Sequence, residues 1–188
     1  MGQRAITVYT PASADPHITA ADDAFIYQSY YGVKSGIIGN MTCTKIDNNT
    51  VRLSGGCGVM NRGHVMRIPD NESLDLTVET GASGYKRYDC VVAEFVRGGG
   101  DDADTYEIKI IKGTATTGTP TPPAMTHSGL AAKGQINQIE LFRIYINGTE
   151  ISTIAQAIAT LPTIPVITYG TANPSAGNNG DIYFKITN

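Results

Sequence analysis

A length of 188 residues suits one well-buried domain with a small appendage and is short for two full domains. Charged residues make up only 16%, against 41% hydrophobic, with 21 glycines and 9 prolines; this predicts many short strands joined by turns rather than a helical bundle or a disordered chain. A net charge of −3 with scattered Lys and Arg argues against nucleic acid as the main partner, and no apolar run has the length of a signal-peptide core or the ~18 residues of a membrane span.

The first element read from the sequence is a short helix over residues 20–30. Thr19 and Asp22 have the spacing of a capping box, and Gly32 stops the segment. Ala21, Ala24, Phe25 and Gln28 fall at helical spacing, which places Phe25 on the core. Tyr27, Tyr30 and Tyr31 are expected to pack against the domain, with a partner surface as the alternative.

From Asn40 the period changes to two. Residues 41–46 and 50–54 read as strands joined by the turn residues Asp47-Asn48-Asn49. Gly55, Gly56 and Gly58 predict a bulge before a strand at 64–68, and Leu74, Leu76 and Val78 alternate with polar residues as a strand with one dry face. Residues 88–96 are apolar on both faces, which predicts a central strand covered on both sides by a sheet, the helix or a neighbouring subunit. Residues 98–104 form a polar tip, and 106–112 return as the second arm of a hairpin.

Residues 113–134 then form a long irregular stretch. Pro120, Pro122 and Pro123 keep it out of a sheet interior and on a surface, along the domain or between subunits. A last strong strand spans 138–146, and Asn147-Gly148 turns the chain. Beyond it, Ile151, Ile154, Ile158 and Leu161 are spaced three, four and three, the pattern of a short helix or a coiled-coil seam for oligomerisation. A proline-containing linker and a strand near 181–186 close the sequence. The organisation read in this way is an N-terminal arm with a helix (1–34), an antiparallel β-sandwich-like domain (35–149) and a C-terminal seam, linker and strand (150–188).

Residues that carry chemistry are sparse. His17, His64 and His127 are each isolated from a nucleophile, and no GxSxG elbow frames a hydroxyl. Glu94 and Glu140 lie on different strands and are the pair to consider for glycoside hydrolysis, which needs two carboxylates several ångströms apart. Asp101, Asp102 and Asp104 lack the closing glutamate of an EF-hand and read as a solvated tip. Gly55-Gly56-Cys57-Gly58 has no following Lys-Ser/Thr. Cys43, Cys57 and Cys90 are odd in number without a CxxC pair, so they are expected reduced and buried. Tyr85, Tyr88, Tyr106 and Tyr145 could stack on sugars, although tyrosines on paired strands usually pack. No catalytic, cofactor-binding or metal-binding residue is assigned, and no enzyme is expected.

The order RYDCVVAEFV, YEIKIIKGTATTGTPTPPAMT, IELFRIYINGTEIST resembles a module of tail, baseplate and tail-fibre proteins from phages and prophages of Gram-positive hosts. Its pattern is Arg-Tyr-Asp with an apolar strand, a strand ending in Lys-Gly-Thr, a proline-rich loop and a third apolar strand. The upstream SGIIGNMTCTKIDNNTVRLSGGCGVMNRGHVMRIP and the terminal GTANPSAGNNGDIYFKI are similar to flanking parts of such proteins. The resemblance implies a non-enzymatic virion structural role, folded in the host cytoplasm and working as a homo-oligomer, with a trimer favoured. Other tail or baseplate proteins are the implied partners, and a host-surface glycan is the alternative one.

Overall fold

The computed structural model describes residues 20–98, 102–162, 167–171, 173 and 182–186. After helix α1 (Ala20–Tyr31) come β1 (Ser35–Ile38), β2 (Cys43–Lys45), β3 (Thr50–Ser54), β4 (Cys57–Asn61), β5 (His64–Ile68) and β6 (Ser73–Thr77). Then follow β7 (Lys86–Val96), β8 (Thr105–Ile111), β9 (Ile136–Asn147), β10 (Glu150–Gln156), β11 (Ile167–Gly170) and β12 (Ile182–Lys185). The fold is mainly β and sandwich-like, as the alternation predicts. Three antiparallel sheets have the orders β1-β4-β5, β2-β3-β6 and β10-β9-β7-β8, and β11 and β12 form a separate parallel pair.

All three antiparallel sheets feed one core, with Ile37 and Val59 from the first, Val51 and Leu53 from the second, and Val91, Leu141 and Ile144 from the third. The turn read at Asp47-Asn48-Asn49 forms through the Asp47 side chain, whose Oδ1 accepts the Asn49 N–H at 2.7 Å. β7 is the central strand, paired with β8 on one side and β9 on the other.

Helix α1 departs from expectation in the face it buries. Ala24 is buried, whereas Phe25 and Tyr30 are each 62% exposed and Tyr27 is exposed as well. The cause lies in the β4–β5 hairpin, where a Cβ on Gly63 would stand 2.3 Å from the Ala24 carbonyl oxygen. Backbone meets backbone there, so only a small residue fits at the contact and the aromatic side chains are left outside. Thr19 of the expected capping box lies outside the described residues.

The segment after Asn147 is also corrected. It is a strand, β10, hydrogen-bonded to β9, so a domain boundary at residue 150 would cut a hairpin. The register shifts between Ile151 and Thr153, leaving Ser152 as the extra residue of a bulge. Ile151 then stands opposite Ile146 and Ile154 opposite Ile144, on one face despite their three-residue spacing. A β-bulge thus reproduces a helical step. Ile151 belongs to the chain's own core and Ile154 and Ile158 pack against it, while Leu161 is buried and donates its N–H to the Ile37 carbonyl at 2.7 Å. These four side chains form no exposed seam.

The connection between β8 and β9 is bound to its own domain rather than running free. Thr116 exchanges two hydrogen bonds with Lys86, at 2.7 and 2.9 Å, on the β8 side of β7. Beyond the prolines, Gln138 donates to the Thr126 carbonyl at 2.9 Å and Ser128 to the Ile136 carbonyl at 2.8 Å, along the opposite edge of β9. The chain therefore crosses the four-stranded sheet. The other two sheets share a core with the face bearing Val91 and Ala93, so the crossing covers the face bearing Cys90 and Val92, both fully buried. Pro120 is buried, Pro123 half-buried and Pro122 exposed. The second cover expected for β7 is thus its own loop.

Candidate functional site

Three residues of the Arg-Tyr-Asp and Lys-Gly-Thr motifs, Arg87, Asp89 and Gly113, form a buried cluster. Successive residues of β7 alternate between faces, so Arg87 and Asp89 share the core face with Val91. Arg87 is 3% exposed and Asp89 0%. The guanidinium donates to both carboxylate oxygens, Nε to Oδ1 at 2.9 Å and Nη2 to Oδ2 at 3.1 Å. It also reaches the carbonyls of Glu79 and Thr80. Asp89 Oδ1 accepts the Gly113 N–H at 2.9 Å. The Arg-Tyr-Asp and Lys-Gly-Thr motifs therefore meet through this carboxylate, and the Arg87–Asp89 pair fastens three chain segments together. Its oxygens are occupied, and the cluster is architectural.

On the opposite face lie Glu94 and Glu140, opposite Gln138 and Val92 respectively in the β7–β9 register. Glu94 accepts from Lys109 and from Gln138 Nε2, the latter at 2.6 Å. Glu140 is held by Arg143 through two bonds of 2.7 and 2.8 Å, and Cys90 Sγ donates to it at 3.2 Å. Burial would raise the Glu94 carboxyl, but the Lys109 and Gln138 hydrogen bonds outweigh it and hold the group below the usual range. Neither carboxylate is presented as an unpaired acid.

The sign of the pH effect follows from that depression. Glu94 contributes stability that is fully present above its unfolded value and is lost as pH falls through its lower folded value. Glu94→Gln should therefore flatten the part of the acid-unfolding profile that lies below the ordinary glutamate range. Urea midpoints measured between pH 3 and 7 check this, and a profile unchanged in shape would contradict it.

The cysteines are free, with Cys57 and Cys90 buried and Cys43 half-buried. Burial pushes the Cys43 and Cys90 thiols up to about 12, which leaves them protonated and unreactive near neutrality. His64 packs its ring 4.4 Å from that of Phe95, and burial lowers its pKa. Tyr106 is half-buried, packs edge-on against Phe95 and donates to the Val59 carbonyl at 3.3 Å. Tyr88 and Tyr145 pack as a tilted pair at 5.2 Å, and Tyr85 is exposed. At the acidic tip, Asp104 pairs with Arg97 at 2.7 Å and Asp102 with Lys133 at 2.6 Å. His17 and Asp101 lie outside the described residues. Among the described residues, no group of three or more His, Cys, Asp or Glu is placed to hold a metal, and no helix is long and apolar enough to cross a membrane.

A concavity lies where the β4–β5 hairpin, the β8–β9 loop and β9 meet. It is an open groove of about 490 Å³, lined by Ser35, Arg62, Met125, His127, Asn137 and Glu140 among others. Asn137, one of its lining residues, is buried and bonded to the buried Asn61: Asn137 Nδ2 donates to Asn61 Oδ1 at 2.7 Å, and Asn61 Nδ2 to the Asn137 carbonyl at 3.2 Å. With its amide nitrogen committed, Asn137 turns Oδ1 toward His127 Nδ1 at 3.3 Å. That contact requires a proton on Nδ1, and Nε2 has no hydrogen-bond partner among the described residues.

Arg62 occupies the first position of the two-residue turn between Asn61 and His64, with φ of 50°. Such turns favour Asn at that position, and a left-handed conformation costs an ordinary L-residue roughly 1–2 kcal/mol. Gln28 Nε2 supports the turn by donating to the Arg62 carbonyl at 2.6 Å. The guanidinium itself is exposed, and no described carboxylate pairs with it. The sequence reading missed this site because Asn61 and Asn137 are 76 residues apart. The available signal was Arg-Gly between two alternating strands in VMNRGHVM.

No protein-family model matches this chain, and no curated protein matches it.

Proposed function

We propose that the chain is a non-enzymatic structural component of a bacteriophage or prophage tail, a baseplate or fibre attachment module that acts by homo-oligomeric assembly. The observation that carries the assembly reading is the β11–β12 pair. Its parallel register places Tyr169 beside Phe184 and Ile167 beside Ile182. One face therefore bears Tyr169 (78% exposed), Phe184 (61%), Ile182 and, at the next position, Ile186. An isolated two-stranded sheet is marginal in water, and parallel strands are ordinarily covered on both faces. Both outer strand edges are open among the described residues. Equivalent strands of further copies would extend the edges and cover the apolar face at once. The exposed Phe25, Tyr27 and Tyr30 on α1 add a second contact region.

The tail setting is supported by the sequence resemblance, whose motif residues form one physically coupled cluster at Arg87, Asp89 and Gly113. Light scattering on the full chain is expected to give a multiple of 19.9 kDa, with three copies favoured. The double substitution Tyr169→Asp, Phe184→Asp is expected to give a folded species of 19.9 kDa. A wild-type protein that stays monomeric at high concentration would overturn the assembly reading. Mass spectrometry of purified particles tests the setting, which fails if the chain is absent from them.

A further inference from the structure

We infer that the groove beside the β4–β5 hairpin takes up an extended segment of another protein, by strand addition to the edge of β9. The inference rests on the main chain rather than on a charged side chain, and it does not depend on how copies of this chain assemble. The β8–β9 loop pairs with β9 only as far as Gln138, whose N–H donates to the Thr126 carbonyl at 2.9 Å. A continued antiparallel ladder would return the Thr126 N–H to the Gln138 main-chain carbonyl. That N–H is bonded instead to the Gln138 side chain, at Oε1, at 2.7 Å. From the other direction, β10 pairs with β9 as far as Phe142, and Ala157 adds one last bond to the Leu141 carbonyl at 2.9 Å.

The interval between these two partners is open. Main-chain groups of alternate residues face the same edge of a strand, so the Gln138 carbonyl and the Glu140 N–H face the edge that the Gln138 N–H uses. Neither has a hydrogen-bond partner among the described residues. Strand β1 brings a second such position. Ile37 accepts from Leu161 and donates to Ala159, whereas Ser35, two residues earlier and facing the same edge, has no main-chain partner there among the described residues. Ser35, Gln138 and Glu140 all line the groove. An extended polypeptide is the ligand that offers alternating N–H and C=O groups to such edges. Its side chains are specified as well, because successive residues of an added strand fall on opposite faces. The residue opposite Ile139 meets the core side, where Ile139 is buried and Ile158 packs against it, and its neighbours fall beside Gln138 and Glu140. The fitting segment is therefore polar, apolar, polar. Each described strand of this chain is already paired within its own sheets, which assigns the occupant to a different protein.

The probe is the capped peptide acetyl-Ser-Thr-Val-Thr-Ser-amide, and the readout is hydrogen exchange at single amides of the full chain. In the free protein the Glu140 amide is expected to exchange faster than that of Ile139, which faces β7. The peptide should slow exchange at Glu140 saturably, and should do so equally in the Tyr169→Asp, Phe184→Asp double variant. Methylating the peptide nitrogens one at a time should weaken binding about tenfold at alternate positions, the loss of a hydrogen bond, and leave the positions between them unchanged. Slow exchange at Glu140 in the free double variant, no protection by the peptide, or methylation effects without alternation overturns the inference. Protection at Glu140 in the wild-type protein without peptide, lost in the double variant, would make the occupant a second copy and overturn it as well.

Discussion

Asp89→Ala is expected to destabilise the protein by roughly 3–5 kcal/mol, the range for breaking a buried ion pair by removing one partner. For a chain of this length that corresponds to a fall of about 6–20 °C in Tm. The magnitude comes from what remains. The Arg87 guanidinium stays in a site where it is 3% exposed, with only the Glu79 and Thr80 carbonyls to hold it, and the Gly113 N–H loses its acceptor. Arg52–Asp75 provides the comparison. Its bonds, at 2.6 and 2.7 Å, are at least as short, but both side chains are 46% exposed. Solvent screens such a pair, so Asp75→Ala should move Tm by a small fraction of the Asp89→Ala effect. Replacing both buried partners, as Arg87→Met with Asp89→Leu, should cost clearly less than the sum of the two single changes. Thermal and urea unfolding of the five variants (Asp89→Ala, Asp75→Ala, Arg87→Met, Asp89→Leu and the double) read this out, and additive effects would mean that the motif does not act as a unit.

What the sequence disclosed depended on the range of the interaction. Strand β6 and the central strand β7 were legible because two-residue alternation and a doubly apolar run are local properties. The turn at Asp47-Asn48-Asn49 was legible because the Asp47 side chain bonds two residues on. The Ile seam misled for an equally physical reason, since the bulge at Ser152 gives a strand the three-residue step of a helix. Phe25 was placed inward by its spacing, yet the helix contact was decided by Gly63, which lies far along the chain and admits only Ala24. β11 escaped because a four-residue strand between turn residues has too few positions to show a period. The groove was least legible of all, since it joins Arg62 to His127 and Asn61 to Asn137 across long separations. A buried asparagine pair leaves no pattern in either neighbourhood. Even for the Arg-Tyr-Asp and Lys-Gly-Thr motifs, sequence supplied their order and structure supplied the bond between them.

Gly113→Ala tests that bond from its other end, by shape rather than charge. A Cβ at Gly113 would stand 2.0 Å from the Tyr88 carbonyl oxygen and 3.1 Å from the carbonyl carbon. Those atoms belong to β7, which is anchored to β9 on one side and to β8 and Thr116 on the other. No side-chain rotation relieves the clash, so Gly113 must move away, and that movement pulls its N–H from Asp89. Overpacking of about 1–3 kcal/mol combined with about 1–3 kcal/mol for an unsatisfied buried group gives an expected loss of about 2–6 kcal/mol. Gly118 lies in the same loop, but a Cβ there would meet only the Thr116 hydroxyl at 3.7 Å, an ordinary contact. Gly118→Ala should accordingly stay within about 0.5 kcal/mol of wild type. Urea denaturation of the two alanine variants side by side gives the answer. Equal stabilities would mean that the glycine of Lys-Gly-Thr is not held there by the Tyr88 backbone, and the structural account of the motif would fail with it.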